Sequence, residues 1–194
     1  MTIYHVLPIV MPSDLMGVDN GEIPANLLRP LKGSPGQLHH EAATAFNCLQ
    51  LAAYFAGIEL KPVSPADTYR PYTAQQRLFK QRYSTTPTGR QPEVTRTWNK
   101  TKFYLKKGVA PSATPGTSNH GWGLAVDISS ASGARLAWML GKDIWSSPVV
   151  QYGFSWEVKE GANAESWHIR YVCGDTPPAK VLEALEAFPD LKAV

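Results

Sequence analysis

Two short stretches of this sequence place histidines and carboxylates among the apolar and aromatic residues that are typical of buried strands. The first, residues 118–127, contains His120 and Asp127, and the second contains Glu165 and His168. Burying an ionised carboxylate is costly unless it is paired or binds a metal. Two imidazoles and one carboxylate leave a fourth position for water, as catalytic zinc sites do, whereas structural sites usually close all four. The two stretches therefore predict a catalytic zinc site with one spare carboxylate.

The first stretch also predicts its own local structure. Gly121 and Gly123 allow a tight backbone path and the close approach of another group. Residues 124–128 are typical of a short buried strand, in which Asp127 points away from the face of its two neighbours. Taken alone, Asp127 would be interpreted as a solvated residue on an edge strand, and the two histidines favour the metal instead.

The second stretch leads into another predicted strand, residues 167–172, which are rich in aromatic and β-branched types. Glu165 precedes His168 by three positions, so an ideal strand would place the two on opposite faces. We therefore expect Glu165 on a loop or bulge that enters the strand, from which its carboxylate can reach the metal. Trp167 is expected to pack in the core, on the face opposite His168. The alternative for an isolated His168 is a half-buried histidine hydrogen-bonded to a neighbour.

Three motifs, which follow one another along the chain, together resemble the motifs of a known protein family. They are Tyr-Arg-Pro-Tyr-Thr-Ala-Gln at residues 69–75, Ser-x-His-x-x-Gly-x-Ala-x-Asp at residues 118–127, and Glu-x-Trp-His at residues 165–168. Together they resemble the zinc D-alanyl-D-alanine carboxypeptidases of the VanY type, within the peptidase M15 group. Pro71 departs from the serine that is common in this group, and it leaves Arg70 in place.

The resemblance implies a role for each matching residue. His120, Asp127 and His168 would ligate zinc, and Glu165 would be the general base that moves a proton from water to the leaving amine. Arg70 would stabilise the oxyanion that develops on the scissile carbonyl.

Two further matching residues, Ser118 and Gln75, would contact the substrate. For Arg70 taken alone, the alternative is an ordinary surface ion pair. A set of two histidines and one aspartate also accepts other divalent transition metals, so the native metal is open.

The length of 194 residues and a hydrophobic content of 43% predict one domain, residues 1–194, with a sizeable core. We expect an α+β fold. The resemblance implies a small antiparallel sheet flanked by helices, with the zinc cleft on the sheet, as in Hedgehog and DD-peptidase domains. Because prolines recur in both segments, we expect residues 1–36 to be irregular and residues 84–118 to form a long loop region near the cleft. A short helix is expected within that region at 98–107.

Hydrophobic periodicity predicts the remaining elements. Helices are predicted at residues 38–56, 73–82 with Thr73 as N-cap, 134–140 and 178–188. Strands are predicted at residues 58–63, 124–128, 152–156 and 167–172. Both cysteines are expected to be reduced, with Cys48 buried on the first helix and Cys173 far from it in sequence.

The formal net charge of +3 is mild and does not favour a nucleic-acid partner. The apolar start of the chain is too short to span a membrane and is not typical of a signal peptide. We therefore expect a protein, monomeric by default, that acts on the cell wall, released as a phage lysin or carried on a virion.

The sequence as a whole predicts hydrolysis of peptidoglycan stem peptides, with a D-alanyl-D-alanine carboxypeptidase favoured. An endopeptidase at the L-alanyl-D-glutamate or a similar bond would use the same ligands and base. A zinc-bearing wall-binding module or virion component without catalysis is a third possibility, against which the spare carboxylate of Glu165 argues.

Overall fold

The computed structural model describes residues 2–87, 89–161 and 163–193. Within them the strands are β1 (Leu28–Pro30), β2 (Gln37–His39), β3 (Tyr83–Ser84), β4 (Arg90–Trp98), β5 (Thr101–Lys106), β6 (Ala125–Asp127), β7 (Phe154–Ser155) and β8 (His168–Tyr171). The α-helices are α1 (His40–Phe55), α2 (Tyr72–Arg82), α3 (Gly133–Leu140), α4 (Pro148–Gln151) and α5 (Ala179–Ala187). Short 3₁₀ turns lie at Ser13–Leu15, Ala25–Leu27, Pro65–Asp67, Asn119–Trp122 and Pro189–Leu191.

A small antiparallel sheet in the order β6-β8-β7 forms the centre of the fold. Its register pairs Asp127 directly with His168, and Ala125 with Arg170. Val126 and Ile169 are fully buried on this sheet. Since residues paired across antiparallel strands lie close together, strand pairing alone brings the two predicted ligand stretches into contact.

Helix α1 covers this sheet and is apolar around most of its circumference. Its side chains from Ala42 to Leu49 are nearly all buried, and Phe46 meets Phe154 of β7 edge to face, with ring centroids 5.9 Å apart. The helix predicted at 38–56 is confirmed, two residues shorter at its start because Leu38 and His39 pair in β2 with β1. The α+β class with a small antiparallel sheet flanked by helices is thus confirmed.

Part of the predicted loop region 84–118 is a β-hairpin, so the helix predicted at 98–107 is wrong. Strands β4 and β5 pair on either side of Asn99 and Lys100, both with positive φ, which is the geometry of a tight two-residue turn. The hairpin rests on α2 through a small separate core of Phe79, Tyr83 and Leu105.

Other predicted elements differ in detail. Residues 58–63 form no strand, and only an isolated bridge joins Pro62 to Ile128. Helix α2 begins at Tyr72 with Pro71 at the N-cap position, so Thr73 is not the cap. The helix predicted at 134–140 is confirmed and begins one residue earlier, at Gly133. The helix predicted at 178–188 and the strands at 124–128, 152–156 and 167–172 are confirmed with shorter bounds.

Trp167 is 45% exposed, so its predicted place in the core is wrong. It lies in the turn before β8 rather than on the strand, and the alternation of strand faces does not apply to it. Cys48 is buried on α1, and both cysteines are free thiols. In the described part of the chain, no helix has the length and apolar character needed to cross a membrane.

Candidate metal centre and active site

His120, Asp127 and His168 form one cluster, in which each residue offers a ligand atom within 4.8 Å of the others. The Asp127 carboxylate bridges the two imidazoles: Oδ2 lies 3.2 Å from His120 Nε2, and Oδ1 lies 2.7 Å from His168 Nδ1. Both histidines are buried, and their ring centroids are 5.0 Å apart. The structure therefore brings together the three residues that the sequence predicts as ligands.

The orientation of His120 is set by the backbone around it. The residue lies in the 3₁₀ turn Asn119–Trp122, which ends at Gly123 in the left-handed conformation. Its Nδ1 lies 2.9 Å from the carbonyl oxygen of Thr68. Because that carbonyl can only accept, Nδ1 carries a hydrogen, and Nε2 is the ring nitrogen that faces the cluster and could bind a metal.

Close packing explains the glycine after this histidine. A Cβ at Gly121 would lie 2.1 Å from Asn20 Oδ1 and 2.5 Å from Gln75 Nε2, so no side chain fits there. The Gly121 carbonyl also accepts from Gly21 N at 2.8 Å. The expected close approach of another group is confirmed.

The charges in the cluster stabilise one another. Burial would raise the pKa of Asp127, but hydrogen bonds from His120 and His168 outweigh it and lower that pKa. Burial would lower the pKa of His168, but hydrogen bonds to Asp127 and Glu157 raise it to about 9. A metal that binds His168 must therefore displace a proton.

Glu157 is a site residue that the sequence analysis missed. Its Oε1 lies 3.3 Å from His168 Nε2 and accepts a hydrogen bond from Asn119 Nδ2. Asn119 Oδ1 in turn accepts from Arg170 Nη1 at 2.8 Å. Such an outer carboxylate fixes the tautomer and orientation of a metal-ligating histidine. The available signal was its position two residues after β7, the strand that pairs with β8.

Glu165 lies in the turn that enters β8, as predicted, and its carbonyl accepts from His168 N at 3.2 Å. Trp156 holds this turn beside the sheet by donating from Nε1 to the Ser166 carbonyl at 3.1 Å. Glu165 as a whole is exposed, yet partial desolvation of its carboxyl raises the pKa of Glu165. The charge of His168 opposes that shift. Glu165 is thus close enough to the cluster to sense its charge, and its role as base stays a prediction.

Arg70 is attached to the same site through its backbone. Its N–H donates to the His120 carbonyl at 3.0 Å, and its guanidinium donates from Nε and Nη2 to the Ala66 carbonyl. Burial lowers the pKa of Arg70, and the carboxylates of Asp127 and Asp67 oppose this. A cation therefore lies near enough to the cluster to interact with Asp127, and its role toward the oxyanion stays a prediction.

The two predicted substrate contacts are both buried. Gln75 Nε2 donates to Asn20 Oδ1 at 3.1 Å and to the Arg70 carbonyl at 3.0 Å, while its Oε1 accepts from Gly116 N. With every one of these groups already bonded to protein, the structure favours a positioning role for Gln75 over a substrate contact. The Ser118 carbonyl accepts from Asn20 Nδ2 at 2.8 Å, and a contact of its hydroxyl with substrate stays a prediction.

Solved structures of peptidoglycan-related peptidases resemble this chain, and the first of them shares its fold. The LdcB LD-carboxypeptidase is 24% identical over 86% of this chain and 76% of its own, with a TM-score of 0.51. The D,D-pentapeptidase VanY of a VanB-type vancomycin resistance cassette, in complex with Zn(II), is 21% identical over 86% and 88% of the two chains, with a TM-score of 0.47. VanYB in complex with D-alanine-D-alanine is 20% identical over 87% of each chain, also at 0.47.

No curated protein matches the chain. The family model of the D-alanyl-D-alanine carboxypeptidases named VanY matches residues 35–174, which is well over half of the chain and includes all three motifs. The chain belongs to the VanY D-alanyl-D-alanine carboxypeptidase family.

Proposed function

We propose that this chain is a zinc-dependent peptidase that removes the terminal D-alanine from peptidoglycan stem peptides. The observation that carries the proposal is the cluster of His120, Asp127 and His168, with Arg70 and Glu165 beside it. Family membership supports the broader activity, that of a peptidoglycan peptidase.

The donor set fits zinc. His120 presents Nε2 because Thr68 holds its other nitrogen, and Asp127 is ionised beside it. Three protein ligands leave a position open, as catalytic rather than structural sites do. Zinc bound here would supply Lewis acidity and a water of pKa about 7.

The protein groups around the cluster would carry the proton and the charge. Glu165 would take the proton from the attacking water and deliver it to the leaving amine of D-alanine. The Arg70 guanidinium would stabilise negative charge on the scissile carbonyl oxygen. Hydrogen bonds from the Arg70 N–H to the His120 carbonyl and from Gln75 to the Arg70 carbonyl fix the Arg70 backbone beside the ligand His120.

The deciding experiment is mass spectrometry of a synthetic stem pentapeptide ending in D-Ala-D-Ala, and of purified peptidoglycan, after incubation with the zinc-loaded protein. We expect loss of one alanine, blocked by a chelator and absent with Glu165→Gln. A tetrapeptide ending in a single D-alanine tests L,D-specificity in parallel.

Two results would overturn the proposal. Cleavage elsewhere in the stem would make the protein an endopeptidase that uses the same residues. Absence of any cleavage, with zinc bound and the fold intact, would leave a binding module.

A further inference from the structure

A second group of two histidines and one carboxylate lies outside the candidate active site. His39 ends β2, His40 begins α1, and Asp14 lies in the 3₁₀ turn Ser13–Leu15. Asp14 Oδ1 is 2.8 Å from His39 Nε2, and Asp14 Oδ2 is 2.8 Å from His40 Nε2. One ligand atom from each residue lies within 4.8 Å of the others. This is the arrangement of Asp127 with its two histidines, repeated with the same donor types.

The cluster is partly enclosed. The His39 side chain has 0% exposure, while those of His40 and Asp14 are 31% and 34% exposed, so an ion could enter from one side.

Two carboxylates outside this cluster, those of Glu41 and Asp175, also favour a metal site. Glu41 Oε1 lies 3.5 Å from His40 Nδ1, the nitrogen that does not face Asp14, as an outer carboxylate does beside a metal-bound histidine. Asp175 accepts from Ser13 N and adds negative charge next to Asp14.

We propose that Asp14, His39 and His40 form a second, structural site for a divalent transition metal of the zinc class. Imidazole and carboxylate donors suit such ions. The ion would join the N-terminal segment to the start of α1. It would also stabilise the backbone that carries His120. His39 N donates to the Gly123 carbonyl at 2.9 Å, and Gly123 N donates to the His120 carbonyl at 3.1 Å.

Metal content tests this inference separately from activity. The purified full chain is equilibrated with zinc, freed of excess metal and measured by plasma mass spectrometry. We expect about two zinc ions per chain in the wild type, about one in His40→Ala and about one in His168→Ala. His40 is partly exposed at the first position of a helix, so His40→Ala is expected to fold. A wild type with one zinc that His168→Ala removes, or a His40→Ala variant with unchanged zinc content, would overturn the second site.

A second readout covers the case in which one variant is unstable. In the His168→Ala background the catalytic cluster has lost a ligand, so any remaining rise of Tm with added zinc reports the second site. We expect that rise to disappear when Asp14→Asn is added, since the amide keeps the shape of the carboxylate without its charge. An equal rise with and without Asp14→Asn would contradict the proposal. Loss of peptidase activity alone would bear on the proposed function and not on this site.

Discussion

His168 is held through both ring nitrogens by carboxylates: Nδ1 lies 2.7 Å from Asp127 Oδ1, and Nε2 lies 3.3 Å from Glu157 Oε1. Asp127 belongs to the candidate ligand set, whereas Glu157 contacts only the far side of the ring. The imidazole is therefore positioned before any metal arrives, and Glu157 is itself fixed by the hydrogen bond from Asn119.

Replacing Glu157 is therefore expected to weaken zinc binding without removing a ligand. Loss of an outer carboxylate of this kind lowers metal affinity by about 10- to 100-fold. We expect Glu157→Ala to fall in that range and Glu157→Gln to lose less, because its amide oxygen can still accept from Nε2. Competition with a chromophoric chelator measures the affinity. Glu160→Ala, an exposed carboxylate on the same segment, is the matched control and should leave the affinity unchanged.

Replacing Glu165, in contrast to Glu157, is expected to lower turnover without weakening zinc binding. A general base contributes about 100-fold or more to the rate, and Glu165 is not one of the three clustered donors. Glu165→Gln should therefore reduce kcat by at least about 100-fold while zinc content stays at the wild-type level. Near-wild-type turnover in this variant would assign the base elsewhere, and loss of zinc would make Glu165 a ligand.

Arg70→Lys tests whether the guanidinium acts on developing charge. Lysine keeps the positive charge but not the planar, forked donor geometry. If Arg70 stabilises the oxyanion, kcat should fall by about 100- to 1,000-fold, the usual effect of removing such a donor, with a smaller change in KM. Arg77→Lys, on the exposed face of α2, is the control. An effect confined to KM would make Arg70 a ground-state binding residue.

The ligand set was predictable because its signals are local. Each histidine or carboxylate occurs inside a short motif, and the pairing of β6 with β8 follows from two strand-like segments. Glu157 was not predictable in this way, because its contact with His168 depends on which strand lies beside β8. Nothing in the spacing of these two residues along the chain indicates that neighbour relationship.

The hairpin of β4 and β5 was missed for a related reason. Prolines and polar residues between 84 and 118 suggested a loop, yet β-branched and aromatic residues, which are typical of strands, flank Asn99 and Lys100. Asparagine is common at positive φ and lysine is not, so this turn lacks the usual glycine signal. Trp167 was misplaced because β8 begins one residue later than predicted, which leaves Trp167 in the preceding turn, where the alternation of strand faces does not apply.

Gln75 provides a test that separates positioning from substrate binding. Its side chain is 4% exposed and is bonded to Asn20, to the Arg70 carbonyl and to Gly116 N. Truncation would leave these buried groups without partners, at a cost of about 1–3 kcal/mol. We expect Gln75→Ala to lower the free energy of unfolding by that amount in urea titrations.

The same variant should lower kcat while zinc content is retained, because the carbonyl of Arg70 loses its anchor. Gln76→Ala, at the neighbouring and less buried position of α2, is the control for helix propensity and should change neither quantity. A Gln75→Ala protein with wild-type stability and a raised KM would instead restore the substrate contact that the family resemblance implies. A positioning role therefore predicts a loss of stability and of kcat, whereas a substrate contact predicts a change in KM alone, and one purified variant decides between them.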